Sequence, residues 1–111
     1  AISSAVSALV VKLQQIQGQP VAATFTFTRN LYFGSSGDDI KKLQEFLANP
    51  PIGGTAIYPQ GIITGYFGVL TQAAVQRFQC KYNIVCSGTS YSTGYGAVGP
   101  KTRTKLNEMI K

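Results

Sequence analysis

A glycine turn that leads into a short helix occurs repeatedly in this chain, and no other feature constrains the fold as much. In the fullest copy, residues 65–79, the turn is followed by Phe67 and Gly68, and apolar residues then recur at three- and four-residue spacing. This spacing is typical of a helix with one apolar face. The apolar positions are Leu70, Ala74, Val75 and Phe78. We expect the turn to place Phe67 in a core and the helix to begin at Gly68. The Thr71 hydroxyl is expected to accept hydrogen bonds from N–H groups of the first helical turn, which have no partner within the helix.

The same motif returns further along the chain. Residues 98–102 (Val-Gly-Pro-Lys-Thr) align with residues 67–71 (Phe-Gly-Val-Leu-Thr), and Leu106 falls at the place of Val75. Pro100 would stand at the first helical position, where the missing N–H of proline has no helical partner to lose. A second turn and helix of the same kind are therefore expected from residue 99 onward.

A third glycine turn precedes these two. It lies within residues 31–37 and leads into a helix expected from near Asp38 to Ala48, whose two initial acids suit the helix dipole. The apolar stripe of this helix is Ile40, Leu43, Phe46 and Leu47. The Asn-Pro-Pro sequence at 49–51 should end it. Three short helices, each introduced by a glycine turn, are thus expected to share one small core.

Taken together, these segments resemble the peptidoglycan-binding-domain-like family over about residues 29–111. The matching runs are L-x-x-G-x-x-G-D-D-I-x-x-L-Q-x-x-L, G-x-F-G-x-x-T-x-x-A-V-x-x-F-Q and V-G-x-x-T-x-x-x-L. The resemblance implies a compact, all-α three-helix fold and non-catalytic attachment to cell-wall peptidoglycan. Gln44 and Gln79 match family glutamines and are interpreted as hydrogen-bonding turn backbone rather than ligand. The family commonly has Asp before each turn glycine, whereas this chain has Thr64 and Tyr95.

Cys80 and Cys86 follow the central helix, and five residues separate them. We predict a disulfide, because a domain of about 80 residues buries a modest core and gains from a covalent cross-link. Two free buried thiols are the alternative. A chain with two cysteines and no histidine lacks the ligands for a zinc site, so no metal or other cofactor is expected. A disulfide indicates an extracellular, cell-surface or periplasmic location.

The charge of the chain is +6, from ten basic and four acidic side chains. Beyond residue 76 the only acid is Glu108, and the basic residues there are Arg77, Lys81, Lys101, Arg103, Lys105 and Lys111. A basic surface suits an anionic wall polymer, although it also simply keeps a protein soluble. The sequence lacks the dense Lys/Arg runs and interleaved aromatics of nucleic-acid readers. No segment reaches the roughly 18 apolar residues of a membrane span. We therefore expect neither a nucleic-acid partner nor a membrane span.

Residues 1–17 form a unit of their own. Their apolar residues follow the four-three-four-three spacing of a heptad seam, at Ile2, Val6, Leu9, Leu13 and Ile16. A helix this short is marginal alone and needs a partner, either the core of the chain or the same helix in a second molecule. Its near lack of charge favours the second, a homo-oligomer. No signal peptide is recognisable, and Ala1 fits either a mature N-terminus after signal cleavage or the boundary of an excised fragment.

Residues 18–30 join this unit to the module at 31–111. Phe25 and Phe27 alternate with threonines, a pattern typical of a strand. The segment is either an extended linker whose two phenylalanines attach to the helical core, or a strand-like arm that pairs with another chain. Phe25 and Phe27 are accordingly grouped with the seam of residues 1–17 as candidate oligomerisation contacts.

Binding is the chemistry that the sequence favours. Without histidine, the chain lacks the commonest general base and any Ser-His or Cys-His nucleophile, and no catalytic residue is predicted. Tyrosines in or beside glycine-rich turns can stack on sugar rings, and arginines can pair with a muropeptide carboxylate. The candidate ligand-binding residues are Tyr58, Tyr66, Tyr91, Tyr95, Arg77 and Arg103. Alternatively, Tyr66 and Tyr95 pack as lids over the core.

The loops that carry these tyrosines are long. Residues 52–64 are expected to form one loop, with a short strand at 62–63, and residues 87–96 have the small polar composition of a mobile surface loop.

The sequence thus predicts a secreted bacterial module, cross-linked by a disulfide, that binds or anchors to peptidoglycan without catalysis. The alternative is a structural subunit of a self-assembling extracellular filament or surface layer, with the N-terminal helix and arm making the subunit contacts. The apolar helix, the arm and the low charged content of 13% favour this alternative.

Overall fold

The computed structural model describes residues 25–110, which fold into three α-helices. The helices are α1 (Asp38–Ala48), α2 (Val69–Lys81) and α3 (Pro100–Ile110). This part of the chain contains no strand, and two isolated antiparallel bridges, Leu31 with Val98 and Ser36 with Tyr66, join its turns. The predicted all-α, three-helix fold is confirmed. The predicted N-terminal helix at 1–17 lies outside the described residues.

The helices begin and end where the turn signals place them. Gly37, with φ 139°, precedes α1, and Gly68 precedes α2, while Pro100 is the first residue of α3. Asn49 ends α1 with an extended backbone, and its side-chain amide donates a hydrogen bond to the Glu45 carbonyl at 2.8 Å. That bond satisfies one of the carbonyl groups left without a partner at a helix C-terminus.

The core is built from the predicted apolar stripes, with one exception. Ile40, Leu43, Phe46 and Leu47 of α1 are all buried, as are Ala74, Val75 and Phe78 of α2, and Phe67 and Leu106. Leu70 is instead 39% exposed, so its assignment to the core was wrong. Thr71 takes the inward position in the first turn of α2, and its hydroxyl accepts a hydrogen bond from the buried Gln44 amide at 3.1 Å. The expected capping role of Thr71 is therefore also wrong, since α2 has no side-chain cap hydrogen bond.

The segment before α1 packs onto the helices of its own chain. Phe27 is buried, and its ring lies 4.7 Å from the Phe25 ring and 5.8 Å from the Phe46 ring, centroid to centroid. The Asn107 side chain accepts from the Phe27 N–H at 2.8 Å and donates to the Phe27 carbonyl at 3.2 Å. These two bonds satisfy the backbone groups that a neighbouring strand would have paired.

These contacts correct two predictions. Residues 25–28 are not a strand, and Phe27 is not available as an oligomerisation contact, because the core of its own chain covers it. Phe25 is half-buried against the same cluster. Over residues 25–30, the contacts of Phe25 and Phe27 agree with the alternative of a linker whose phenylalanines attach to the helical core.

Arg29 fastens this segment to the start of α1. Its guanidinium donates to both carboxylate oxygens of Asp39, at 2.7 and 2.9 Å, and to the Ser36 carbonyl at 2.9 Å. The hydrogen bond from Arg29 lowers the pKa of the Asp39 carboxyl below its ordinary value. A bidentate pair of this kind fixes orientation as well as supplying attraction.

The connection between α1 and α2 contributes to the core without forming a strand. Ile52, Ile57 and Tyr58 are buried. Ile62 and Ile63 are 48% and 40% exposed and lie in irregular structure, so the predicted short strand at 62–63 is wrong. Neither of the two β-bridges of the described residues involves a residue of the loop at 52–64.

Cys80 and Cys86 form the predicted disulfide, with their Cα atoms 4.5 Å apart, and neither is a free thiol. The bond joins the last turn of α2 to the residues that follow it. Between residues 25 and 110, no helix combines the length and apolar character that crossing a bilayer requires.

Candidate functional site

Two buried glutamines organise the turns that lie between the helices. The side-chain oxygen of Gln44, in α1, accepts hydrogen bonds from the backbone N–H groups of Thr64 and Gly65 at 2.8 and 3.0 Å. Its amide nitrogen lies 3.0 Å from the Tyr66 carbonyl and 3.1 Å from the Thr71 hydroxyl. Gln44 thus holds the glycine turn against the first turn of α2, as the interpretation of this residue predicts.

Gln79, in α2, repeats this arrangement at the next turn. Its side-chain oxygen accepts from the Gly96 N–H at 2.7 Å, and its amide nitrogen lies 2.9 and 2.8 Å from the Gly94 and Ala97 carbonyls. The same nitrogen lies 3.1 Å from the Thr102 hydroxyl in α3. The sequence repeat is therefore also a repeat of hydrogen bonds, and the role predicted for both glutamines is confirmed.

Each glutamine lies beside a hollow in the surface. The N-terminal hollow, about 240 Å³, is lined by Gln44, Tyr58, Ile62, Thr64, Tyr66, Gly68, Val69, Leu70 and Thr71. The C-terminal hollow, about 440 Å³, is lined by Gln79, Ile84, Val85, Thr93, Gly94, Gly99, Pro100, Lys101 and Thr102. The residues that align in the sequence repeat occupy matching places in the two hollows.

A further concavity lies next to the C-terminal hollow, and we call it the aromatic groove. It has a volume of about 530 Å³. The residues that line it are Asn30, Leu31, Tyr32, Phe33, Ser90, Tyr91, Gly94, Ala97, Val98, Gly99 and Pro100. Tyr91 is 99% exposed, Tyr32 58% and Phe33 49%. Exposed aromatic rings around a concave surface can stack on the apolar faces of sugar rings.

Backbone pairing across the chain assembles this groove. Leu31 and Val98 are fully buried, and each donates its N–H to the carbonyl of the other, at 3.0 and 2.7 Å. Because Tyr32 and Phe33 directly follow Leu31, this bridge brings them beside the loop that precedes Val98. That loop is organised around Thr89, whose hydroxyl accepts from the Ser92 N–H at 3.0 Å, which places Tyr91 at the outside of a turn.

The structure places the four tyrosines predicted to bind ligand in different surroundings. Tyr91 lines the aromatic groove, and Tyr66, 49% exposed, lines the N-terminal hollow. Tyr95 is half-buried and does not line the groove. Tyr58 is only 2% exposed and its hydroxyl donates to the Ile62 carbonyl, so its proposed role as a ligand-stacking ring is corrected to that of a core residue that holds its own loop.

The predicted arginines lie away from the groove. Arg77 donates to the Ile57 carbonyl at 3.1 Å and thus supports the loop between α1 and α2. Arg103 is half-buried, and its Nε atom has no hydrogen-bond partner among the described residues. Neither side chain lines the aromatic groove or the C-terminal hollow.

Three residues that the sequence reasoning did not select surround the candidate site. Tyr32 and Phe33 lie in the groove and Lys101 in the C-terminal hollow. A signal for the first two was present, because they stand beside the first glycine turn just as the selected tyrosines stand beside the others. Lys101 gives no such signal, since any exposed lysine of a basic helix looks the same in sequence.

Comparison with known proteins matches residues 36–106 to the model of a peptidoglycan binding domain family. The chain is also 34% identical over 85 residues to the zinc D-Ala-D-Ala carboxypeptidase of Streptomyces albus G. That alignment covers 77% of this chain and 29% of the carboxypeptidase, so the chain spans less than a third of its relative. No solved structure matches.

Proposed function

Since this chain belongs to the peptidoglycan binding domain family, we propose that it attaches to bacterial cell-wall peptidoglycan without catalysis and that the aromatic groove receives the glycan. The family match, residues 36–106, covers the two later glycine turns, the first two helices and the first part of the third helix. The recognition of the family from sequence is confirmed.

The main support for the proposal is that three exposed aromatic side chains, Tyr32, Phe33 and Tyr91, line one concavity. A tyrosine that is 99% exposed contributes almost nothing to the free energy of folding through burial. Its ring instead offers an apolar face and a hydroxyl to a ligand. Tyr32 and Phe33, each about half exposed, add further apolar ring surface to the same concavity for a sugar to stack on.

A binding role, rather than a hydrolytic one, agrees with the side chains available. The relative is by name a zinc enzyme that acts on D-Ala-D-Ala. Residues 25–110 contain no group of three or more His, Cys, Asp or Glu side chains that could hold a metal ion, and the whole chain lacks histidine. The proposal therefore gives this chain the attachment function alone.

The proposed location is outside the cytoplasm, at the cell wall, with the protein extracellular, on the cell surface or in the periplasm. The disulfide and the family membership both support it.

Sedimentation with insoluble peptidoglycan sacculi tests the proposal. The chain should pellet with sacculi and remain soluble without them, and Tyr91→Ala and Tyr32→Ala should each weaken binding about tenfold, the magnitude of a stacked aromatic contact. Val69→Ala is the matched control, because it removes apolar surface that is 67% exposed but lies outside the groove. Wild-type protein that stays in solution with sacculi would refute the proposal.

The same assay addresses the alternative of a self-assembling filament or surface-layer subunit. The seam on which that hypothesis depends, residues 1–17, lies outside the described residues, and Phe27 is buried within its own chain. Pelleting in the tube without sacculi would favour self-assembly.

A further inference from the structure

The two hollows differ at one pair of equivalent positions. Leu70 lines the N-terminal hollow at the place where Lys101 lines the C-terminal hollow. Around Leu70 the exposed side chains are Ile62, Thr64, Tyr66 and Val69, and none of them is charged. The two hollows thus share the same arrangement of turn and helix, but only the C-terminal hollow is lined by a cation.

The C-terminal hollow adjoins the aromatic groove. Gly94, Gly99 and Pro100 line both of them. Lys101 follows Pro100 directly in α3 and is exposed. A ligand that lies in the groove and extends past Pro100 therefore meets the residues that line the C-terminal hollow, and Lys101 is one of them.

Lys101 has no acidic neighbour among the residues that line either concavity. The ion pairs of the described residues are Arg29 with Asp39 and Lys42 with Glu45, so Lys101 belongs to neither. Glu108, the one acid of α3, lies seven residues further along, about 10 Å down the helix axis. The hollow thus presents an ammonium charge that no lining residue neutralises.

We propose that the C-terminal hollow binds a carboxylate of the peptide stem of peptidoglycan while the sugars of the same strand lie in the aromatic groove. This inference rests on the proposed function and specifies its ligand as a glycan that carries its peptide. Lys101 is the specificity-determining residue, because an ammonium on a flexible stem pairs with a carboxylate without requiring one fixed approach geometry. Ile84 and Val85, on the other side of the hollow, offer apolar contacts to the aliphatic part of the peptide.

Two soluble ligands distinguish binding of the sugars in the aromatic groove from binding of the peptide carboxylate in the C-terminal hollow. One is an uncross-linked glycan strand that carries stem peptides, and the other is the same strand after an amidase has removed them. Removal of the peptides leaves a lactyl carboxylate on the stripped strand, so these carboxylates are converted to methylamides. Both strands are also freed of phosphate-bearing wall polymers, so that the carboxylates of the stem peptide are the only anions that differ. Titration calorimetry then measures the affinity of the chain for each strand at low and at high salt.

Wild-type protein should bind the peptide-bearing strand about fivefold more tightly than the stripped strand, as expected for one solvent-accessible ion pair, and high salt should reduce the ratio. Lys101→Gln should remove this preference and leave the affinity for the stripped strand unchanged. Lys41→Gln, an equal change of charge on the exposed side of α1, should alter neither affinity. Leu70→Lys places a lysine in the equivalent hollow and should not strengthen binding of the peptide-bearing strand.

Equal wild-type affinity for the two strands would overturn the inference while leaving the proposed function standing. So would a Lys101→Gln variant that loses affinity for both strands in the same proportion, since Lys101 would then not distinguish the peptide. Failure of the wild-type chain to bind either strand would instead refute the proposed function itself.

Discussion

Gln44 and Gln79 occupy equivalent positions in two successive units of the fold. Each is buried, accepts a hydrogen bond from the N–H of a turn glycine, and directs its amide to a turn carbonyl and to a threonine hydroxyl in the next helix. The turn glycines, Gly65 and Gly96, both have positive φ, at 81° and 90°. One buried side chain in each unit therefore sets the shape of the surface hollow beside it.

Replacing Gln79 with leucine should destabilise the protein strongly. The substitution keeps the volume of the side chain but leaves the Gly96 N–H and the Ala97 carbonyl buried without partners, so we expect a loss of about 3 kcal/mol in the free energy of unfolding. Urea denaturation measures this. Gln76→Leu, on the half-exposed side of the same helix, is the control and should change stability by less than about 0.5 kcal/mol. Equal losses for the two variants would contradict the role assigned to Gln79.

Gly96→Ala should be more destabilising than Gly34→Ala. Both glycines have positive φ, 90° and 96°, which costs an alanine about 1–2 kcal/mol. At Gly96 an added Cβ would also lie 3.0 Å from Cγ of Gln72 and 3.2 Å from Nε2 of Gln76, whereas at Gly34 it would meet no atom within 4 Å. Thermal unfolding of the two variants checks the difference. A larger loss at Gly34 would show that contact with α2 is not what distinguishes the second turn.

The ion pair between Arg29 and Asp39 should give part of the stability a dependence on acid pH. The pKa of Asp39 is lowered in the folded state, so its contribution is present above its unfolded pKa of about 3.9 and is lost as the pH falls through the folded value. Asp39→Asn should therefore reduce stability at pH 7 but converge with wild type under strongly acidic conditions. Because both side chains are solvent-accessible, the difference at pH 7 should not exceed about 1 kcal/mol.

Asp38→Asn provides the control for this prediction. It removes the same charge from the same helix terminus without breaking the pair with Arg29. Denaturation at a series of pH values should show a larger pH-dependent difference for Asp39→Asn. Identical profiles for the two variants would mean that the helix dipole, rather than Arg29, accounts for the effect.

The disulfide should support binding as well as stability. Cys80→Ser combined with Cys86→Ser should lower the free energy of unfolding by about 2 kcal/mol in the chain-entropy model for a small loop. Since Ile84 and Val85, within the closed loop, line the C-terminal hollow, the variant should also bind the peptide-bearing glycan strand more weakly than wild type at temperatures where both are folded. Unchanged affinity would show that the loop closed by the disulfide does not contribute to the ligand site.

Local signals in the sequence were sufficient to predict where the helices lie. Glycine turns, the Asn-Pro-Pro stop and the apolar periodicity placed all three helix starts and the end of α1 correctly. The inward position of Thr71 agrees with helical periodicity, because residues 71, 74, 75 and 78 follow the spacing i, i+3, i+4 and i+7. Leu70 was assigned to the core for its apolar character, and the inward Thr71 hydroxyl accepts a hydrogen bond from the Gln44 side chain. The strand-like alternation around Phe27 was misleading, since the Asn107 side chain supplies the partners that a strand would have supplied.

The candidate site was only partly predictable. The composition of the loops identified Tyr91, but the groove also needs Tyr32 and Phe33, which the pairing of Leu31 with Val98 brings to it from the other end of the described chain. Tyr58 has the same glycine-rich neighbourhood as Tyr91 and is nevertheless buried. Whether a loop tyrosine points outward depends on long-range packing, and the residues of the loop do not encode that by themselves.

The most direct test of the account is a nuclear magnetic resonance titration of the ¹⁵N-labelled chain with a soluble, peptide-bearing glycan strand. Attachment through the aromatic groove predicts that amide signals shift at residues 30–33, 90–99 and 101, and that the amide signals of Ile62, Val69 and Leu70 in the N-terminal hollow do not shift. Shifts centred on those three residues, or no shifts at millimolar ligand, would contradict the assignment of the aromatic groove as the peptidoglycan site.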